Sequence, residues 1–214
     1  MQRFLLPAFV AAVLVPVALE AGEIRAKTND GKFVILRDDG TWIYEPGPKK
    51  AAPKKDVEKF EKDPKSIEAY KGKRDKFTLY LIPGRWTQKE TPSSPDAEVQ
   101  FAHQDGDVFG MVIAERVEMP VETLKQVAVG RVQKLDKDFK IVEEGKRIVN
   151  GRQVLFLIMD ANIKGIPLTY FVYYYAGPEG SIQVLTFTGQ SLFKEYKQDM
   201  EVFLNGFQLA PLPD

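Results

Sequence analysis

The chain has 214 residues, 44% of them hydrophobic, enough to bury an ordinary core in one main domain with an appendage. Its 30 basic and 30 acidic side chains cancel, so there is no whole-protein basic field of the kind nucleic acid needs. No Cys and a single His exclude disulfides, thiol chemistry and thiolate metal sites, and leave a His-based metal cage without donors.

Residues 1–21 read as an export signal. Arg3 supplies the positive start, and the stretch from Phe4 to Leu19 is uncharged and mostly apolar, broken by Pro7 and Pro16. About 16 apolar residues are short for a spanning helix of about 20. Cleavage is expected after Ala21; an uncleaved N-terminal anchor is the alternative. No Cys follows the run, which rules out a lipid-anchored N-terminus. The mature chain is therefore expected in the periplasm or elsewhere outside the cytoplasm. There its core must stand without disulfide staples.

Residues 22–45 read as a three-stranded β-ribbon. Its segments are Ile24–Thr28, Lys32–Arg37 and Thr41–Tyr44, with turns at Asn29-Asp30-Gly31 and Asp38-Asp39-Gly40. Trp42 and Tyr44 share one face of their strand, and so short a ribbon cannot cover that face itself. The pattern from Gly31 to Trp42 resembles a fragment of an SH3-like barrel met at the start of exported bacterial proteins.

Residues 46–76 carry eleven Lys or Arg against six Asp or Glu, with Pro46, Pro48, Pro53 and Pro64. Such a segment orders at an entropic cost with little apolar burial in return, so it reads as a linker. Val57, Phe60, Ile67 and Tyr70 have the spacing of one or two helical turns. The basic excess could tether the chain weakly to anionic membrane lipid or cell-wall polymer. The interleaved acidic residues favour plain solvation.

From Phe77 the main domain begins. Phe77–Ile82, Glu98–Ala102 and Val108–Arg116 read as strands. The last is almost continuously apolar, as a strand covered on both faces should be. Val121, Leu124, Val127, Ala128, Val132 and Leu135 mark a helix behind Pro120. Gly130 within it suggests close packing on the sheet. Phe139–Glu144 and Lys146–Ile148 lead to an Asn150-Gly151 turn. Three β-branched and aromatic runs follow at Val154–Met159, Leu168–Tyr175 and Ile182–Thr188, separated by turns at Lys164-Gly165 and Gly177–Gly180. A final helix spans about Leu192 to Asn205, with Ser191 as N-cap and Gly206 as a left-handed C-terminal cap. Phe207 and Leu209 return to the sheet, and 211–214 are a tail.

The expected fold class is α+β, an antiparallel sheet covered by amphipathic helices. Four stretches carry a specific likeness: Phe77-Thr78-Leu79-Tyr80-Leu81-Ile82-Pro83-Gly84-Arg85-Trp86, the helix after Pro120, the strand Leu168–Tyr175, and the ending from Ile182 to Gly189 with Phe193 and Phe203-Leu204-Asn205-Gly206-Phe207. Residues 77–209 thereby resemble the PsbP/Mog1-type fold, which includes the exported DcrB-like proteins. The resemblance implies an accessory or binding protein and no shared active site.

Candidate chemistry is sparse. His103, Asp105 and Asp107 offer nitrogen and oxygen ligands at a hairpin tip, but Gln-Asp-Gly-Asp is ordinary turn chemistry, so no metal site is assigned. Asp160 interrupts an apolar strand, with Asn162 on the same side and Lys164 near; a carboxylate there either lines a pocket or marks where the strand leaves the core. No carboxylate pair, phosphate loop or nucleophile elbow is present, and no cofactor is expected. Tyr170, Phe171, Tyr173, Tyr174 and Tyr175 form an aromatic run. Alternation puts Phe171, Tyr173 and Tyr175 on one face and Tyr170 and Tyr174 on the other, either as a binding surface or with both faces lying under helices or the ribbon. The candidate binding residues are Trp42, Tyr44, Asp160, Tyr170, Tyr173 and Tyr175. The reading is an exported, non-enzymatic accessory protein that meets an envelope protein or a second copy of itself, and not nucleic acid. Carriage of a small apolar ligand between sheet and helix is the alternative, and hydrolysis is a distant third.

Overall fold

The computed structural model describes residues 23–28, 33–37, 42–44, 57–74, 76–115 and 117–210. The chain divides into two compact units, residues 1–55 and 56–214. In the first, β1 (Glu23–Lys27), β2 (Phe33–Arg37) and β3 (Trp42–Tyr44) form a three-stranded antiparallel sheet in the order β1-β2-β3. Ile24 lies opposite Leu36, Ile35 opposite Ile43, and Val34 is buried. The strands match the expected ribbon to within a residue. The export signal, the two ribbon turns and residues 45–56 lie outside the described residues.

The second unit is built on the aromatic meander. β10 (Lys140–Val149), β11 (Arg152–Ile163), β12 (Ile166–Gly177) and β13 (Gly180–Gly189) pair antiparallel in sequence order. β9 (Val108–Ala114), β8 (Val99–His103) and β7 (Trp86–Gln88) extend the sheet beyond β13. At the other edge β4 (Lys59–Phe60) pairs in parallel with Ile148 and Val149, making the eight-stranded sheet mixed rather than purely antiparallel. A second, three-stranded sheet has the order β14-β6-β5, from Phe207–Leu209, Phe77–Leu81 and Glu68–Lys71. α1 spans Val121–Leu135 and α2 spans Phe193–Asn205, entered through a 3-10 turn at Gln190–Leu192. Among the described residues no helix is long and apolar enough to cross a membrane.

Several expectations change. The linker ends earlier than 76: Lys59–Phe60 and Glu68–Lys71 are strands, where spacing suggested helical turns. The reason is tertiary: Tyr70 packs edge-on to Phe101, 5.7 Å between ring centres, so the segment does bury apolar surface. Residues 140–149 are one strand with a bulge between Ile141 and Glu143, not two. Ser191 makes no side-chain cap and lies within the 3-10 turn. Gly206 is right-handed, at φ −69. What demands glycine there is proximity, since a Cβ would sit 2.0 Å from the Tyr80 carbonyl oxygen. Gly130 has open space around it, so close packing does not explain that residue.

The main sheet separates two cores. On one face Phe171, Tyr173, Tyr175, Phe156 and Ile158 pack beneath α2 and the small sheet, whose Phe77, Leu79 and Leu81 point inward. On the other, Leu155, Leu157, Met159, Val172, Tyr174 and Leu185 meet α1. That cover is narrow. Leu124 and Ala128 are the buried residues of α1, while Val127 and Leu135, expected in its apolar stripe, are 40% and 63% exposed.

Candidate functional site

The narrow footprint of α1 creates the site. The helix rests on β11 and β12. Across the same face the segment 93–97 is held over β8: the Ser93 backbone N–H donates to Gln100 Oε1 at 2.6 Å, and Ala97 packs on the core. β13 runs between these two covers. A cavity of about 150 Å³ opens there, floored by Met159, Val172, Tyr174 and Leu185, with Tyr170 at its edge and Ala128 and Val132 of α1 as one wall. Its polar rim is Ser94, Asp96, Arg131 and Gln183. Arg131 reaches from α1 to Asp96 at 3.2 Å and to Glu115 at 3.8 Å. Gln183 Nε2 donates to Glu115 Oε1 at 3.3 Å.

Beside the cavity, strand register aligns three rings. Tyr170 lies opposite Phe187, and Phe187 opposite Phe109, so one row crosses β12, β13 and β9. Ring centres are 5.6 Å apart for Tyr170–Phe187 and 5.3 Å for the stacked pair Phe109–Phe187. All three are half-buried, and the Lys89 ammonium sits 5.5 Å from the Phe109 ring centre. Burial raises the Tyr170 and Tyr174 phenols above their usual range. Neither hydroxyl hydrogen-bonds to protein among the described residues, although both residues line the cavity.

The six candidates therefore scatter. Tyr170 stands on the cavity rim and heads the aromatic row. Tyr173 and Tyr175 lie on the opposite face and are buried, so they offer no docking surface. The alternation and the cover by a helix were legible, but the share taken by the second sheet was not. Asp160 lies half-buried and accepts a 2.5 Å hydrogen bond from the Thr169 hydroxyl of the neighbouring strand, which answers its place in an apolar run. Asn162 and Lys164 are exposed near the hairpin tip. Trp42 and Tyr44 fall in β3, but their side chains lie outside the described residues. His103 is buried between Trp86 and Tyr196, ring centres 5.1 and 5.7 Å away, with Nδ1 3.4 Å from Asp105. Among the described residues no three His, Asp or Glu side chains converge as a metal site.

The sequence reading missed Phe109 and Phe187, which stand 78 positions apart and meet only through register. It also missed a polar knot under α2. Arg147 is buried between Phe60 and Phe156, 4.5 and 4.1 Å from their ring centres, and donates to Glu201 at 2.6 Å and the Tyr173 hydroxyl at 3.1 Å. Burial opposes its charge, but Tyr173 and Glu201 more than offset this and raise its pKa. Tyr173 in turn donates to Asn205 at 2.9 Å. This knot ties β10, β12 and α2 together.

No family model and no curated protein sequence matches the chain. Solved structures do. Cyanobacterial PsbP (CyanoP) from Synechocystis sp. PCC 6803 superposes at a TM-score of 0.50 and 15% identity, over 68% of this chain and 93% of that one. A Pseudomonas aeruginosa protein of unknown function matches at 0.42 and 12%, over 69% and 98% of the two chains. LpqN of Mycobacterium tuberculosis, involved in cell envelope biogenesis, matches at 0.36 and 13%, over 70% and 87%. At such identities the likeness concerns fold alone, and at that level the resemblance read from the stretches between Phe77 and Phe207 holds: the chain carries a PsbP-type α+β sandwich.

Proposed function

We propose that the chain is an exported, non-enzymatic accessory protein of the cell envelope that binds a partner protein through the Tyr170–Phe187–Phe109 row. The row itself carries this reading. Singly exposed aromatics are ordinary, but three adjoining rings held half-buried on rigid central strands make a contiguous apolar surface. Rigid aromatic anchors with a charged rim are what protein interfaces use. Lys89 supplies such a rim. The non-enzymatic part of the reading is supported by the Tyr173 and Tyr175 hydroxyls, which are engaged in core hydrogen bonds, and by Arg147, which is paired with Glu201. Export rests on residues 1–21 of the sequence.

The test is a photoreactive residue in place of Lys89 in the full chain, irradiated in the native envelope, with the same probe at exposed Glu195 of α2 as control. A discrete adduct with a second polypeptide from position 89 alone, lost when Phe109 and Phe187 are changed to Ser, is expected. Equal labelling from both positions would sink the reading. An adduct of twice the chain mass would replace the heterologous partner with a second copy.

A further inference from the structure

We propose that the cavity between α1 and strands β12 and β13 is a binding site for a small neutral molecule, an apolar body of about one ring that carries an oxygen acceptor. Volume sets the size. At about 150 Å³ it matches an apolar cavity known to take one benzene-sized guest, and it falls below the roughly 300 Å³ at which pockets for larger ligands begin. The lining sets the apolar body, since Ile113, Met159, Val172, Leu185 and Val132 offer it nothing polar.

The acceptor follows from two phenols. Buried tyrosines ordinarily find a partner for the hydroxyl. On the other face of the same strand they do: Tyr173 donates to Asn205 and Tyr175 to Glu179. Tyr174 is 1% exposed and lines the cavity, yet no protein group among the described residues accepts its proton. Tyr170 at the rim is half-buried and likewise has no protein acceptor among the described residues. A carbonyl, ether or ester oxygen inside the cavity would satisfy one of them.

Neutrality follows from the rim. Arg131 already faces two carboxylates, Asp96 and Glu115, so an incoming anion would have to displace one of them. An incoming ammonium would lose its hydration among apolar walls, and the one carboxylate of the lining, Asp96 at the rim, is already paired with Arg131. This inference does not rest on the partner reading, because the cavity is complete without anything bound to the aromatic row.

The test uses the purified full chain and three probes of equal size: acetophenone, ethylbenzene and benzoate. The readout is the NMR methyl signal of Met159, which lines the floor. Acetophenone is expected to shift it saturably, ethylbenzene to bind about three- to tenfold more weakly for want of one hydrogen bond, and benzoate not to bind in the same range. Tyr174→Phe or Tyr170→Phe, whichever supplies the donor, should bring acetophenone down to the affinity of ethylbenzene and leave ethylbenzene unchanged. Ala128→Leu should fill the cavity and abolish both, with a thermal melt to verify folding. If that variant does not fold, the near-isosteric tyrosine variants decide alone. The proposal fails if no probe shifts the signal saturably, if benzoate binds best, or if acetophenone binds the two tyrosine variants as tightly as the parent chain.

Discussion

Asn150 was legible as a turn residue and is more than that. Its φ of 48 begins the β10–β11 turn, while its side chain accepts from the Lys62 backbone N–H at 2.8 Å and donates to the carbonyls of Asn205 and Phe207, each at 2.8 Å. One amide thus ties the segment after β4 to the end of α2. Asn150→Ala should cost about 2–3 kcal/mol, combining lost buried hydrogen bonds with backbone strain. Asn150→Gly tolerates the positive φ and isolates the hydrogen bonds. If its denaturant-derived stability matched the parent within about 0.5 kcal/mol, the Asn150 side-chain hydrogen bonds would contribute nothing. The buried tyrosines set a pH limit. Burial raises Tyr173 to about 12, partly offset by Arg147, and raises Tyr174 and Tyr175 further. An unfolded phenol ionises near 10, so between about 10 and 12 the folded chain keeps protons that the unfolded chain has released. Stability is then full below pH about 10 and falls as pH rises through 12. The thermal midpoint should drop across that window, and full tyrosinate absorbance should appear only with unfolding. A complete rise in tyrosinate signal near pH 10, with circular dichroism unchanged, would contradict this burial.

At the scale of elements, α2 is seated by one missing side chain. A Cβ at Gly110 of β9 would lie 2.3 Å from the Phe203 ring, which is itself held by Trp86 at 4.5 Å and Phe101 at 5.9 Å between centres. The ring has nowhere to go, so Gly110→Ala should destabilise the fold by about 1–3 kcal/mol through overpacking. Phe203→Leu in the same chain should recover part of that loss, and strict additivity of the two would show that they do not share space. Gly110 was unremarkable in the sequence, lost in an apolar strand, because its role depends on a residue 93 positions away. The same reason separates what could be read from what could not. Periodicity within one element marked both helices, the meander and the two faces of β12. β4 and β5, of two and four residues, contain no period to read. Phe109 and Phe187 become neighbours through register, and the cavity exists because α1 rests mainly on β11 and β12. None of these is a local property of a segment.

At the scale of the whole molecule, the boundary of the main unit decides what must be kept for it to fold. The sequence suggested that it begins at Phe77; the contacts place the division between 55 and 56. The difference concerns β4 and β5. Phe60 stacks on the Arg147 guanidinium, Tyr70 packs against Phe77 and Phe101, and the carbonyl of Phe60 accepts from the backbone of Asn150 at 2.9 Å. Removing these groups opens two apolar surfaces and leaves Arg147 less shielded on one side. It also leaves β6 as the edge of a two-stranded remnant with β14, and an uncovered edge of that kind invites aggregation. A chain beginning at residue 56 should therefore give a cooperative thermal transition with a dispersed NMR spectrum. One beginning at residue 77 should lose several kcal/mol of apolar burial, at about 1.5–3 kcal/mol per large side chain, which is a large share of the roughly 5–15 kcal/mol a domain possesses. It should be recovered aggregated or without a cooperative transition. Equal midpoints for the two chains would mean that β4 and β5 decorate the sheets without stabilising them, and the boundary at Phe77 would then be the energetically meaningful one.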